Sequence, residues 1–206
     1  VKKNIRLKDD KTHKKHSIHK KHKKLSSAIF SFKETFFLSL RIFLALDYLK
    51  GFTIPDSAIR KGLDTVLWYG RNQILQENPL VIFDVAHNAE GLLCFLDYYK
   101  SLKISGKSTL VLALYLKKRI KVVVPQLENI FQHIICTETD GHNPMPVEIL
   151  GDHFSSEHSI EIIEDPIQAI RQGLKSLSKD GGMAILGTHC FGPTVNEVFK
   201  ISFDRL

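Results

Sequence analysis

The sequence predicts an α/β fold, a mostly parallel sheet covered by helices on both faces, over residues 72–206. Two observations carry this. From residue 72 onward, short continuous apolar runs alternate with stretches of helical periodicity. Strands that are apolar throughout, rather than alternately, belong to sheets buried on both faces. The second observation is local. The apolar run Leu80-Val81-Ile82-Phe83 ends in a polar knot of Asp84, His87 and Asn88, and a helical pattern starts at about Ala89. In open α/β sheets, ligands bind beyond the carboxyl ends of strands, where this knot would lie. Asp84 and Asn88 also suit a plain helix-capping role.

The elements follow in order. Residues 1–28 form a basic, low-complexity tail. Its first 24 residues hold ten Lys and one Arg against two Asp, which is more than the whole formal charge of +7, so the remainder is near −2. Such a segment has too few apolar groups to bury a core. His13, His16, His19 and His22 recur every third residue, but four imidazoles within a lysine run read as a solvated tail. No aromatic side chains interleave the lysines, so base stacking with nucleic acid is not indicated. Residues 29–71 form a helical segment. Lys33 to Lys50 carries a wide apolar face of Phe36, Phe37, Leu40, Phe43, Leu44, Leu46 and Leu49, closed by Gly51. Pro55 opens a second helix, with Thr53 as its cap and Ile59, Leu63 and Val66 turned inward. Trp68 to Arg71 leads out of it. Strands are expected at 73–75, 80–84, 109–114, 133–137, 160–163 and 183–187. Helices are expected at 89–102, 119–130, 146–152, 166–178 and 192–203, and Asp180-Gly181-Gly182 reads as a turn.

A hydrophobic content of 43% supports a real core. No apolar run reaches the roughly 18 residues that a membrane span needs. Cys94, Cys136 and Cys190 lie far apart with no C-x-x-C pair, which reads as buried free thiols in a reducing, cytoplasmic compartment.

Several chemistries are excluded or weakened. Ser105-Gly106-Lys107-Ser108 resembles the end of a phosphate loop, but Ser101 stands where the first glycine belongs and the segment precedes a strand. It reads as a solvent loop. Asp140-Gly141-His142-Asn143-Pro144 reads as a polar loop without metal spacing. Cys190 beside His189 is not a through-space thiol–imidazole pair. No G-x-S-x-G elbow occurs. His87 lies close enough to Asp84 in sequence for the carboxylate to orient the imidazole.

Three motifs resemble one family. Asp84-Val85-Ala86-His87-Asn88 is similar to the D-[GV]-A-H-N element of the folylpolyglutamate synthases, ATP-dependent ligases of folate and one-carbon metabolism related to the Mur ligases. Trp68-Tyr69-Gly70-Arg71 resembles their W-P-G-R, with Tyr69 in place of Pro, at the family's spacing from Asp84. Ala184-Ile185-Leu186-Gly187-Thr188 resembles their terminal strand ending in Gly-Ser, with Thr188 as the hydroxyl. The resemblance runs from about residue 33 to 206, the last half of such an enzyme. With Val1 rather than Met at the start, the reading is a fragment.

The resemblance implies a Rossmann-like carboxyl-terminal domain of the Mur ligase type over 72–206. It implies a parent activity that adds glutamate to reduced folate, through ATP-driven phosphorylation of a carboxylate and attack by the incoming amine. ATP and Mg²⁺ are the implied cofactors. The phosphate loop and the metal ligands would belong to the amino-terminal domain, outside this sequence, so the chain alone should be inactive. Arg71 and Asp84 are the implied ATP-binding residues; His87, Asn88 and Thr188 are the implied glutamate-binding residues. Three departures support an alternative, a catalytically dead stand-alone α/β domain that binds a small anion or a partner protein. The front domain is not in the sequence. The family's amide-bearing element is replaced at Glu34, Thr35 and Leu38. Lys117-Lys118-Arg119 stands in place of an acidic turn.

Overall fold

A computed structural model describes residues 55–65, 68–116 and 120–201. The basic tail, the Lys33–Lys50 helix with positions 34, 35 and 38, and Lys117 to Arg119 lie outside the described residues. So do Thr53 and the side chains of Ile59, Leu63 and Val66, whereas the last expected helix ends at Phe199, short of residue 203, where Lys200 takes a left-handed φ of 57. The chain divides into two units, Val1–Arg60 and Lys61–Leu206. Helix α1 (Asp56–Thr65) begins directly after Pro55 and crosses that division.

The second unit contains β1 (Gln73–Gln76), β2 (Leu80–Asp84), α2 (Ala89–Ser101), β3 (Ser108–Leu112), α3 (Val124–Ile130) and β4 (His133–Cys136). It continues with α4 (Val147–Gly151), β5 (Ser159–Ile162), α5 (Pro166–Ser176), β6 (Gly182–Leu186) and α6 (Phe191–Phe199). The six strands form one sheet in the order β1-β2-β6-β3-β4-β5. Only β1 runs antiparallel, against β2; the other pairings are parallel. The expected α/β sheet is therefore the one observed. Strand β3 stops at Leu112 instead of residue 114, although Ala113 and Leu114 remain buried as the chain leaves the sheet.

Alternate residues of the inner strands feed two cores. On one face, Ile82, Leu110, Leu112, Ile134, Ala184 and Leu186 pack with side chains of α2, α3 and α4. On the other, Val81, Phe83, Val111, Ile135, Met183 and Ile185 pack with Ala169, Ile170, Phe191 and Val195 of α5 and α6. Burial on both faces explains why these strands are apolar throughout. Helix α2 shows its period directly: Leu92, Phe95, Leu96 and Tyr99 are its buried residues. In α5, Asp165 caps the start, accepting from the N–H groups of Ile167 and Gln168, and Pro166 sits in the first turn.

This topology positions the site. After β2 and β3 the chain enters helices on one face; after β6 it enters α6 on the other. Strand β6 lies between β2 and β3, so the connections diverge on either side of it. Such divergence opens a crevice at the carboxyl ends.

Candidate functional site at the carboxyl ends of β2, β6 and β3

The register aligns Asp84 with Leu186, and Leu186 with Leu112. His87, Thr188 and Tyr115 thus follow three adjacent strands by three, two and three residues, all at the same end of the sheet. Asp84 and Thr188 share that end.

Asp84 is 3% exposed. The Asn72 N–H donates to its Oδ2 and the Ala86 N–H to its Oδ1, each at 2.8 Å. The carboxylate therefore ties the 70–72 segment to the exit of β2. Gly70 makes that approach feasible: it has φ +69, and a Cβ there would lie 2.7 Å from Val85 Cγ1. The Val85 N–H donates to the Gly70 carbonyl at 2.9 Å. Asn72 also holds a left-handed φ of 45, which Asn tolerates better than most residues. Arg71 Nη1 stands 3.9 Å from Asp84 Oδ1, with its side chain 37% exposed. That loose pairing leaves the guanidinium able to meet another anion.

Burial pushes the Asp84 carboxyl above its ordinary 3.8, against the opposing pull of the Asn72 and Ala86 N–H groups and of Arg71. A raised carboxyl holds its proton longer in the folded state than in the unfolded one. Its contribution to stability is complete below the unfolded value and is lost as pH rises through the folded value. Asp84→Asn should remove that slope. Melting temperatures of the two proteins, followed upward from about pH 3, should differ by an amount that changes with pH over this range. A constant offset would contradict the shift.

The expected pairing of His87 with Asp84 is not formed. The Asp84 oxygens are occupied by backbone donors, and His87 Nδ1 lies 3.0 Å from the Val85 carbonyl oxygen. A carbonyl can only accept, so Nδ1 is the donor in this bond, which leaves Nε2 to face a ligand. Asn88 caps α2, its Oδ1 accepting from the Gly91 N–H at 2.8 Å; the capping role foreseen for it is real, and its amide nitrogen is not used in that bond.

Thr188 is 1% exposed. Its hydroxyl donates to Tyr115 Oη at 3.2 Å and accepts from the Cys190 N–H at 3.1 Å. Tyr115 Oη in turn lies 3.0 Å from Cys190 Sγ. Tyr115 and this polar cluster were not foreseen. The available signal was a polar aromatic residue placed beyond β3 at the same offset as His87 beyond β2. Of the three cysteines only Cys136 is buried; Cys94 and Cys190 are half-buried, which corrects the expectation of buried thiols. Burial pushes the Cys136 thiol up to about 12, so it stays protonated and inert.

One other loop differs from the sequence expectation. Ser105–Ser108 lies at the amino end of β3, remote from the cluster, and is not a solvent loop throughout. Ser108 is buried and bonded to Tyr99, and the Gly106 N–H donates to the Asp180 carbonyl at 2.8 Å. The 140–144 segment is a loop, as read from the sequence. It borders a cavity of about 830 Å³ at the carboxyl ends of β4 and β5. Glu138, Asp140, Glu164 and Asp165 line it, a set that disfavours anions. Among the described residues, no group of three His, Cys, Asp or Glu could hold a metal ion. No described helix is long and apolar enough to cross a membrane.

The sheet, with Tyr115 and Thr188, lies within a stretch that matches a known family. The model of the Mur ligase glutamate ligase domain covers residues 70–189. The chain belongs to this family. The Mur ligase match begins at Gly70, where the Asp84-tied segment starts, and ends at His189, one residue past Thr188. Among curated proteins, the dihydrofolate synthase/folylpolyglutamate synthase of Escherichia coli is 28% identical over 113 residues, 55% of this chain and 27% of the relative. That of Buchnera aphidicola is 30% identical over 154 residues, 75% of this chain and 36% of the relative. Among solved structures, E. coli FolC in complex with ADP superimposes with a TM-score of 0.64 at 25% identity, covering 73% of this chain and 35% of that one. A bifunctional folylpolyglutamate synthase/dihydrofolate synthase with Mn, AMPPNP and L-glutamate bound gives 0.67 at 25% identity, covering 77% and 38%. The chain thus spans roughly a third of the length of these Mur ligase relatives.

Proposed function

We propose that this chain is the carboxyl-terminal part of an ATP-dependent ligase that adds glutamate to folates, and that it forms the wall of the cleft receiving the glutamate. The observation that carries this reading is the row of His87 and Thr188 at adjacent parallel strand ends, inside the matched region. The solved relative with L-glutamate and nucleotide bound supports the same ligand classes.

In this reading the half-exposed Arg71 guanidinium reaches the nucleotide phosphates, its fork suited to oxyanions. Asp84 orients the segment that carries Arg71; to accept from a ribose hydroxyl or from water on a bound cation it would have to gain exposure. Neutral His87 accepts from the ammonium of glutamate at Nε2; protonated, it donates to a carboxylate. The amide nitrogen of Asn88 donates to the same carboxylate, while its oxygen remains on Gly91. Thr188 completes the pocket. Bound ATP would supply the phosphoryl group that activates the folate carboxylate. The ligands of a divalent ion, Mg²⁺ in our reading, would come from outside the described residues, as would the phosphate loop. ATP and reduced folate as substrates suit a cytoplasmic setting.

The purified chain should release no phosphate from ATP above background when folate and glutamate are added, since its sequence holds no phosphate loop. Folate- and glutamate-dependent release would contradict this. Glutamate itself should bind at about millimolar strength, as two or three hydrogen bonds on an open half-site allow. The measurement is amide shifts during titration. Binding that survives His87→Ala combined with Thr188→Val would remove the pocket.

A further inference from the structure

Thr188 sits at the foot of the crevice but is almost wholly buried, and its hydroxyl hydrogen is already committed to Tyr115. A carboxylate only accepts hydrogen bonds. To hold one directly, Thr188 would have to break its bond to Tyr115 and gain exposure. Tyr115 is only half-buried and stands at the same strand end. Its phenol lies 3.0 Å from Cys190 Sγ, a weak donor and a weak acceptor, so an arriving carboxylate competes well for the O–H.

The phenol is also held in place. Leu116 N–H donates to the Asn143 carbonyl at 3.1 Å and Met145 N–H to the Leu114 carbonyl at 2.8 Å, fixing the segment around Tyr115 against the 143–145 loop. Gly141 lies so close that a Cβ there would stand 3.2 Å from both Tyr115 Oη and Cys190 Sγ. His189 flanks the ring, with centroids 6.5 Å apart. The three strands β2, β6 and β3 are neighbours, so the strand ends that lead to His87 and Tyr115 are two strand spacings apart, about 10 Å. That gap suits a small ligand with polar groups at both ends.

We propose that Tyr115, rather than Thr188, makes the direct hydrogen bond to the glutamate carboxylate, and that Thr188 is the positioning residue that sets the Tyr115 hydroxyl. The inference rests on the glutamate-pocket reading above. The phenol titrates above its ordinary range, chiefly through its hydrogen bond with Cys190, so it carries its proton at neutral pH and can donate.

The test is glutamate titration of the full chain, followed by amide shifts at His87 and at residues 187–190, in wild type, Tyr115→Phe and Thr188→Val. Phe keeps the ring between Gly141 and His189 and removes only the hydroxyl. Tyr115→Phe should weaken binding about tenfold, or about 1.4 kcal/mol, and Thr188→Val about threefold. Thr188→Val should also raise the ionisation midpoint of Tyr115, read from its ring carbon shifts, because a donor to the phenolate is lost. A purely structural role for Thr188 would leave that midpoint in place. Unchanged affinity in Tyr115→Phe, with the larger loss in Thr188→Val, overturns the inference and leaves the pocket standing. Wild-type protein with no saturable shift at His87 overturns the pocket and the inference together.

Discussion

Gly187→Ala should be the most damaging single-atom change in this domain, lowering stability by about 3–5 kcal/mol as the sum of a strained backbone and an overpacked contact. Gly187 follows β6 with φ +119, a conformation that side-chain-bearing residues rarely adopt. A Cβ there would run into the Ala113 carbonyl group. That carbonyl cannot simply swing away. Ala113 is buried, and its own N–H donates to the Leu186 carbonyl at 3.1 Å, extending the ladder between β3 and β6 past its last paired residue. Relief would require the exits of β6 and β3 to separate, which moves Thr188 relative to Tyr115. Denaturant unfolding of the variant measures the loss. A decrease below about 1 kcal/mol, the size typical of ordinary substitutions, would show that the strand ends yield and that the crevice is not rigid.

Asp84→Ala should cost about 2–5 kcal/mol, because it leaves the Asn72 and Ala86 N–H groups without their acceptor. The loss has a local signature. Segment 70–72 is tied to β2 by this carboxylate and by the single backbone bond from Val85 to Gly70. Amide hydrogen exchange at Asn72 and Ala86 should accelerate far more than at Val111 or Ile185 in the centre of the sheet. Equal acceleration everywhere would mean that the carboxylate supports global stability rather than the loop that carries Arg71. Asn at this position can accept at one oxygen only, so Asp84→Asn should fall between Ala and wild type in the same exchange experiment.

The sheet was legible because each inner strand is buried on both faces, and a short apolar run bounded by turn residues has the length of a strand rather than of a buried helix. Its strand order was not. Nothing in Gly182–Leu186 tells that this last strand inserts between the first two parallel ones; that is settled by how α5 and α6 pack together on one face. Strand ends were also misjudged where burial outlasts pairing. Ala113 and Leu114 stay in the core after β3 has ended, and Gly187 ends β6 through its dihedral angle, which an apolar pattern does not encode. At the site, the Asn88 cap was readable from its place before α2. The Asp84–His87 pairing was expected from closeness in sequence, but backbone donors two residues on and twelve residues back reached the carboxylate first. Tyr115 was hidden because its partners, Thr188 and Cys190, lie 73 and 75 residues away.

On this reading glutamate binds at the exits of β2, β6 and β3, and not in the acid-lined cavity at the exits of β4 and β5. A glutamate titration mapped over the backbone amides of the whole domain separates the two. Saturable shifts should cluster at residues 85–91, 113–116 and 187–190, and acetate at equal concentration should fail to reproduce them. Shifts concentrated at Glu138 to Asp140 and Glu164 to Gln168, or an acetate pattern matching that of glutamate, would contradict this placement.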